Sequence, residues 1–305
     1  MKWKKLGRLY YIENLCDELI SHCSNPLPIH LEGDVYKIYF SGRDKYNRSS
    51  VGAVDVDIKK RKVVKEYNKA FFKHGEEGSF YQDGVSIGNC YEVDGEKYIL
   101  FMGWQTKNRE HWRGDVGRLK LNIDYTLTLE PKEPYITTDD IDKISLSYPW
   151  VEKTGNNQYV MYYGSTEDWH SENGEMIHVI NYATSEDGKN WVKHGLAVPY
   201  EYGMVQAFSR PTVIKDGNKY KMWVSSRGPK GISKYRIYYS TSSDGIKWEK
   251  IYDNKNSGID VSESGWDSEM VCYPFVFRHS GEIYMLYNGN SYGKTGFGIA
   301  VLEND

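Results

Sequence analysis

The chain has 305 residues, a net charge of −3 and a pI near 6.3, so it carries no global basic field to draw nucleic acid or an anionic membrane. Aromatic residues make up 15% of it, with 27 Tyr and 9 Trp, against a mean hydropathy of −0.67. That combination excludes disorder and favours strands, because each aromatic side chain buries roughly 150–250 Å² and Tyr and Trp suit a pleated, half-buried surface.

Taken in chain order, the basic start (Lys2, Lys4, Lys5) meets Glu13, Asp17 and Glu18 before an apolar run of signal-peptide length can form. No stretch approaches the roughly 20 apolar residues of a membrane span. Residues 1–21 are expected to supply a closing strand or to lie across one face, with a short helical turn over 14–20. The four cysteines (Cys16, Cys23, Cys90, Cys272) show no CxxC spacing, which argues against a zinc site or a disulfide framework. Reduced thiols without an export signal read as a cytoplasmic protein.

A repeat then organises the rest of the chain. Segments 26–33, 88–95, 149–155, 211–217 and 274–281 each run from a proline or glycine through an apolar stretch to a glycine turn, at intervals of 61 to 63 residues. An aromatic strand follows in the same phase, opening at Tyr36, Tyr98, Tyr159, Tyr220 and Tyr284. A third strand follows at 50–55, 115–121, 178–185, 236–243 and 295–302. The two-residue alternation is that of half-buried strands joined by short hairpins. Two turns, Asp187-Gly188 before Trp191 and Asp244-Gly245 before Trp248, resemble the Asp-box hairpins of sialidase-type propellers. Units of about 60 residues with three or four antiparallel strands each predict an all-β, five-bladed β-propeller spanning 1–305 as a single domain, since radial closure protects strand edges. The polar insertions at 106–115 and 168–175 fall outside the repeat and are expected to cover the mouth of a site.

In a propeller the innermost strand of each blade lines the central channel. That geometry nominates His22, Asn25, Asp83, Tyr148, Arg210 and Glu269 around the first strands, and Arg43, Trp104, Arg227 and Asn288 at the ends of the second. Asp83 and Glu269 are the carboxylates at pocket-facing positions and are the catalytic candidates; the alternatives are that Asp83 caps the turn into Gly84 and that Glu269 pairs with an arginine. Arg43, Arg210 and Arg227 suit a carboxylate or phosphate on the ligand, unless each balances a neighbouring acid. Trp104, Tyr148 and other aromatics there offer ring faces to a ligand. The histidines are dispersed, so no catalytic metal and no cofactor is expected. Gly293-Lys294-Thr295 lacks the leading glycine and the helix of a phosphate loop and reads as a turn.

With this repeat in place, residues 21–302 resemble the five-bladed propeller superfamily that includes arabinanases and β-xylosidases, invertases and levanases, and the mannoside phosphorylases. Segments 80–104 and 285–298 look especially like members associated with bacterial surface-polysaccharide genes. The resemblance implies a glycosidase-like architecture and a carbohydrate pocket. It also implies an aspartate before the first proline, a second before the third, and an acid glutamate ahead of the fourth. Here those places hold Asn25, Tyr148, and Ser209 with Arg210. An amide cannot replace a carboxylate as base or nucleophile. The expectation is therefore a carbohydrate-active enzyme, hydrolase or phosphorylase-like, acting on an anionic or phosphorylated glycan with Glu269 as acid and Asp83 as base. The alternatives are a non-catalytic glycan or sugar-nucleotide binding propeller and a transferase-type role in surface-polysaccharide synthesis. The expected partner is a sugar-derived small molecule, with no nucleic acid and no membrane; the sequence leaves the oligomeric state open.

Overall fold

A computed structural model describes residues 1–107, 110–155, 158–228 and 234–303. The chain is nearly all strand. One antiparallel unit recurs: β2 (Ser21–Glu32), β3 (Val35–Arg43), β4 (Ser49–Asp57) and β5 (Lys62–Glu66), then β6 (Gly84–Val93), β7 (Glu96–Lys107), β8 (His111–Leu121) and β9 (Leu127–Leu129). It continues as β10 (Ser145–Gly155), β11 (Gln158–Asp168), β12 (Ile177–Ser185) and β13 (Val192–Leu196), then β14 (Ala207–Asp216), β15 (Lys219–Arg227) and β16 (Arg236–Ser242). The last unit is β17 (Cys272–His279), β18 (Glu282–Asn288) and β19 (Phe297–Leu302), completed by β1 (Trp3–Tyr10), which pairs antiparallel with β19. The amino terminus thus supplies the expected closing strand. The helical turn expected over 14–20 is instead a tight reversal in which Cys16 and Leu19 bridge, because Leu19 is pulled fully into the core. Neighbouring units touch through single parallel bridges, Ser49 with Gly84 and His178 with Ala207.

The innermost strands share one irregularity. Between Ser24 and Leu27, Ile87 and Cys90, Ser147 and Trp150, Ser209 and Thr212, and Cys272 and Phe275, three steps on the first strand match two on the second. Each is a β-bulge with one extra residue, a device that bends a strand and re-aims a side chain. Proline fits there because it has no ladder N–H to lose. The residues before the prolines, Asn25, Tyr148, Arg210 and Tyr273, have φ of 56°, 36°, 46° and 54°. This left-handed conformation is uncommon for side-chain-bearing residues and turns them towards the axis. In β6 Gly88 stands at the position of these residues, where a Cβ would lie 2.2 Å from the Pro149 oxygen, and Asn89 takes the proline's place.

Aromatic side chains fill the space between sheets: Tyr39, Phe40, Phe101, Tyr162, Trp223 and Tyr238 are fully buried. The two Asp-Gly turns are built alike. Ser185 Oγ accepts from Gly188 N at 2.8 Å while Asp187 Oδ1 accepts from the amides of Lys189 and Asn190, each at 2.8 Å. Ser242 and Asp244 repeat the pattern on Gly245, Ile246 and Lys247. Trp248 then packs edge-on to Tyr162 at 5.6 Å. Among the described residues no helix is long and apolar enough to cross a membrane.

Candidate functional site

The bulged strands surround a cavity of about 500 Å³ at one end of the axis. Its floor is set by Asn25, Tyr148 and Tyr273, the residues that the bulges turn inward, with Ser24 and Ser209 one position before the turned residue on their strands and Ser86 two positions before Gly88 on β6. The walls come from second-strand ends, Ser41, Arg43, Met102, Trp104 and Arg227. Trp104 is held in place by a hydrogen bond from its Nε1 to Ser49 Oγ, 3.1 Å. Both polar insertions reach the mouth. The β7–β8 hairpin brings His111 and Trp112, and the β11–β12 connection brings Trp169, His170, Gly174 and Glu175. Residues 108 and 109, within the first of these insertions, lie outside the described residues. Across the mouth His111 stacks on Trp169 at 4.7 Å and an angle of 8°, and the Nε2 atoms of His111 and His170 are 3.0 Å apart.

Of the sequence-nominated residues, Asn25, Arg43, Trp104, Tyr148 and Arg227 line the cavity. His22, Asp83, Arg210, Glu269 and Asn288 do not. His22 lies behind the wall, with Nδ1 2.8 Å from Ser21 Oγ. Asp83 spends a carboxylate oxygen on the Thr106 amide at 2.6 Å, as a strand-end cap. Arg210 turns below the floor and donates to the main-chain oxygens of Tyr273, Pro274 and Pro26. Glu269 pairs with Lys234, its side chain more than half exposed. Asn288 is fully buried: its Oδ1 accepts from Asn25 N at 2.8 Å and its Nδ2 donates to Cys23 O at 2.6 Å. Sequence reasoning did not single out Glu175, Trp112, Trp169, Tyr235 or Tyr292. The signal available for the first three was their place in the two out-of-repeat loops.

The electrostatics of the cavity are one-sided. Glu175, the carboxylate in the lining, is paired with Arg227 (Oε2 to Nε 3.0 Å, Oε1 to Nη2 3.2 Å). Arg43 is half-buried and, among the described residues, makes no ion pair and no side-chain hydrogen bond. His178 is fully buried, with Ser147 Oγ at 2.7 Å from Nε2 and Thr166 Oγ1 at 2.8 Å from Nδ1. Burial, and then the Arg227 charge, push its pKa down to about 3, so it is neutral. Burial likewise lowers His22 to about 4, with smaller contributions from Arg43 and Lys294. Asn25 Oδ1 is buried without a hydrogen-bond partner among the described residues. The cavity is therefore net positive and rich in hydroxyls and ring faces. Among the described residues no three His, Cys, Asp or Glu side chains form a metal-binding group.

No protein-family model matches the chain. The uncharacterized protein MT1551 of Mycobacterium tuberculosis is 40% identical over 306 residues, covering 100% of both chains. Among solved structures, a glycosyl hydrolase from Bacteroides ovatus superposes with a TM-score of 0.71 at 14% identity, covering 99% of this chain and 93% of that one. An endo-arabinase from Bacteroides thetaiotaomicron gives 0.65 at 14%, covering 93% and 95%. At such identities the likeness shows the fold, a propeller of the glycosidase type. The identity of 40% over the whole of both chains places this chain in one family with the Mycobacterium tuberculosis protein MT1551, and the solved structures show that it shares the fold of the glycosidase-type propellers.

Proposed function

We propose that residues 1–305 form a single-domain, five-bladed propeller whose axial cavity takes a negatively charged glycan or phosphorylated sugar as a carbohydrate-active site. The blade count is supported by the recurrence of one bulge, with the same register change, in every innermost strand. The observation that carries the ligand reading is Arg43, a guanidinium without an ion pair among the described residues, held among serine hydroxyls and aromatic rings. A cation kept half-buried without a carboxylate is unfavourable until an anion reaches it. Tyr148, Tyr273 and Trp104 offer faces for a sugar ring.

Two-carboxylate glycoside hydrolysis needs one protonated and one ionised carboxyl about 5–9.5 Å apart. The lining holds Glu175, ion-paired with Arg227, while Asp83 and Glu269 are engaged elsewhere. This favours a reaction in which the nucleophile brings its own charge, as phosphate does, with Arg43 receiving it. The same observation favours a second reading, a glycan-binding propeller without turnover. Four free cysteines support a reducing, cytoplasmic setting.

Thermal-shift titration with neutral sugars, uronic acids and sugar phosphates tests the proposal, because a ligand stabilises the native state by mass action. Anionic sugars should raise Tm in the native protein and not in Arg43→Ala. A shift with neutral sugars alone, or with none, would remove the charged-ligand reading. Incubation of the stabilising glycan with and without phosphate, followed by product analysis, separates turnover from binding.

A further inference from the structure

The two insertions at the cavity mouth carry the same residue types in opposite order, His111 and Trp112 at the start of β8 and Trp169 and His170 just after β11. The four rings pack as one unit. His111 lies flat on Trp169, with ring centres 4.7 Å apart and planes 8° from parallel, and Trp112 meets Trp169 edge-on at 4.8 Å. The backbone anchors each end. His111 pairs with Lys107 in the β7–β8 ladder, and the His170 amide donates to Asp168 Oδ1 at 2.8 Å. Stacking and turn together set the directions of the two imidazoles.

Those directions are informative. The Nε2 atoms of His111 and His170 are 3.0 Å apart, while the ring centres are 4.7 Å apart and the planes cross at 64°. Imidazoles aimed at one another through a straight N–H···N hydrogen bond of that length would have centres about 5.3 Å apart. The observed spacing is shorter, so the rings are turned off the line between the nitrogens. Two imidazoles that bind one ion at about 2.1 Å, in neighbouring positions of a square-planar or octahedral shell, have nitrogens about 3.0 Å apart and centres about 4.6 Å apart. Both distances agree with that arrangement. A tetrahedral shell would part the nitrogens by about 3.4 Å. Both rings line the cavity, and His170 is exposed, so an ion can arrive from solvent.

We infer that His111 and His170 form a two-histidine site for a divalent transition-metal ion of the nickel or copper type, which clips the two insertions together across the mouth. Imidazole nitrogen suits these ions, and they stand above manganese and iron in affinity for such ligands. Two protein ligands leave the rest of the shell to water or to oxygen atoms of a bound ligand, so the ion exchanges with solvent. The inference stands whether or not the cavity holds a sugar.

Calorimetric titration of the untagged protein with Ni(II) alone, in a buffer without chelating groups, tests the site. One ion per chain should bind. His111→Ala and His170→Ala should each weaken it about ten-fold or more, since loss of even a supporting partner of a ligand costs that much. His194→Ala, which removes a histidine bonded to Thr184 Oγ1 instead, should leave the affinity within about two-fold. Two further readouts use the native protein, whose folding is not in question. Electron paramagnetic resonance of the Cu(II)-loaded chain should show a tetragonal ion with two coordinated nitrogens. Ni(II) should slow amide hydrogen exchange in the peptides carrying His111 and His170 together. Absence of Ni(II) binding, binding that survives either alanine substitution, a copper spectrum with a single nitrogen, or protection of one insertion without the other overturns the clip.

Discussion

Arg210 donates from Nη1 to the main-chain oxygen of Tyr273 at 2.7 Å, and its Nη2 reaches the Pro26 oxygen at 2.9 Å. One fully buried guanidinium from the β14 bulge therefore ties the bulges of β17 and β2 beneath the cavity floor. Burial lowers its pKa to about 9, against smaller opposing contributions from Tyr148, Tyr273 and Cys272. The guanidinium stays charged at neutral pH and acts as an axial clamp. Sequence position alone had made it a ligand residue.

Removing this clamp leaves buried carbonyls without donors, and each unsatisfied buried group costs about 1–3 kcal/mol. Arg210→Ala should lose about 3 kcal/mol or more of unfolding free energy in urea titration, and Arg210→Lys should recover little because an ammonium lacks the planar fork. Loss of less than about 1 kcal/mol would show that the sheets close without it.

Arg43→Ala should behave in the opposite way. With no partner to orphan, the substitution should leave unfolding free energy within about 0.5 kcal/mol. Affinity for an anionic sugar should fall ten-fold or more, since hydrogen bonds to charged groups are worth about 1.5–3 kcal/mol. Isothermal calorimetry and chemical denaturation on the same sample check both halves.

Glu175→Gln removes the negative charge from the cavity lining and frees Arg227. Binding of an anionic sugar should tighten, about five-fold for a partly screened neighbouring charge. Glu269→Gln, whose carboxylate pairs with Lys234 away from the lining, should leave that affinity unchanged. If turnover is found, loss of it in Glu269→Gln with Glu175→Gln still active would return the acid role to Glu269.

The pH dependence of stability follows from His178. Its folded pKa of about 3 lies below the ordinary value of 6.5, so the unfolded chain binds the extra proton. The histidine's contribution is complete above about pH 6.5 and is lost as pH falls towards 3. Between pH 7 and pH 5 this costs the folded protein about 2 kcal/mol. The difference in unfolding free energy between the native protein and His178→Asn should shrink by that amount over the same interval. An unchanged difference would mean that His178 is not held neutral.

The repeat phase, the strand order within each unit, the closing role of the amino terminus and the two Ser-x-Asp-Gly turns were all legible in the sequence, because each rests on local chemistry. Alternation sets which face is buried, Asp-Gly sets the reversal, and proline marks a strand position that needs no donor. The repeat also located the inward segments, which is why Asn25, Arg43, Trp104, Tyr148 and Arg227 were named in advance.

What only the tertiary structure decided is where each inward side chain ends. A bulge with positive φ turns Asn25, Tyr148, Arg210 and Tyr273 towards the axis alike, yet the space below the floor accepts the long Arg210 and its neighbours' carbonyls hold it there. Asp83 and Glu269 are drawn off by the Thr106 amide and by Lys234, partners 23 and 35 residues away that no local pattern announces. Glu175 and Trp169 enter the site from the β11–β12 loop and Trp112 from the extended β7–β8 hairpin, both insertions outside the repeat, and so carry no phase by which a sequence could place them. Periodicity fixes direction along a strand; the partner that captures a side chain is chosen by long-range packing and electrostatics, which exist only once the sheets have closed into a ring.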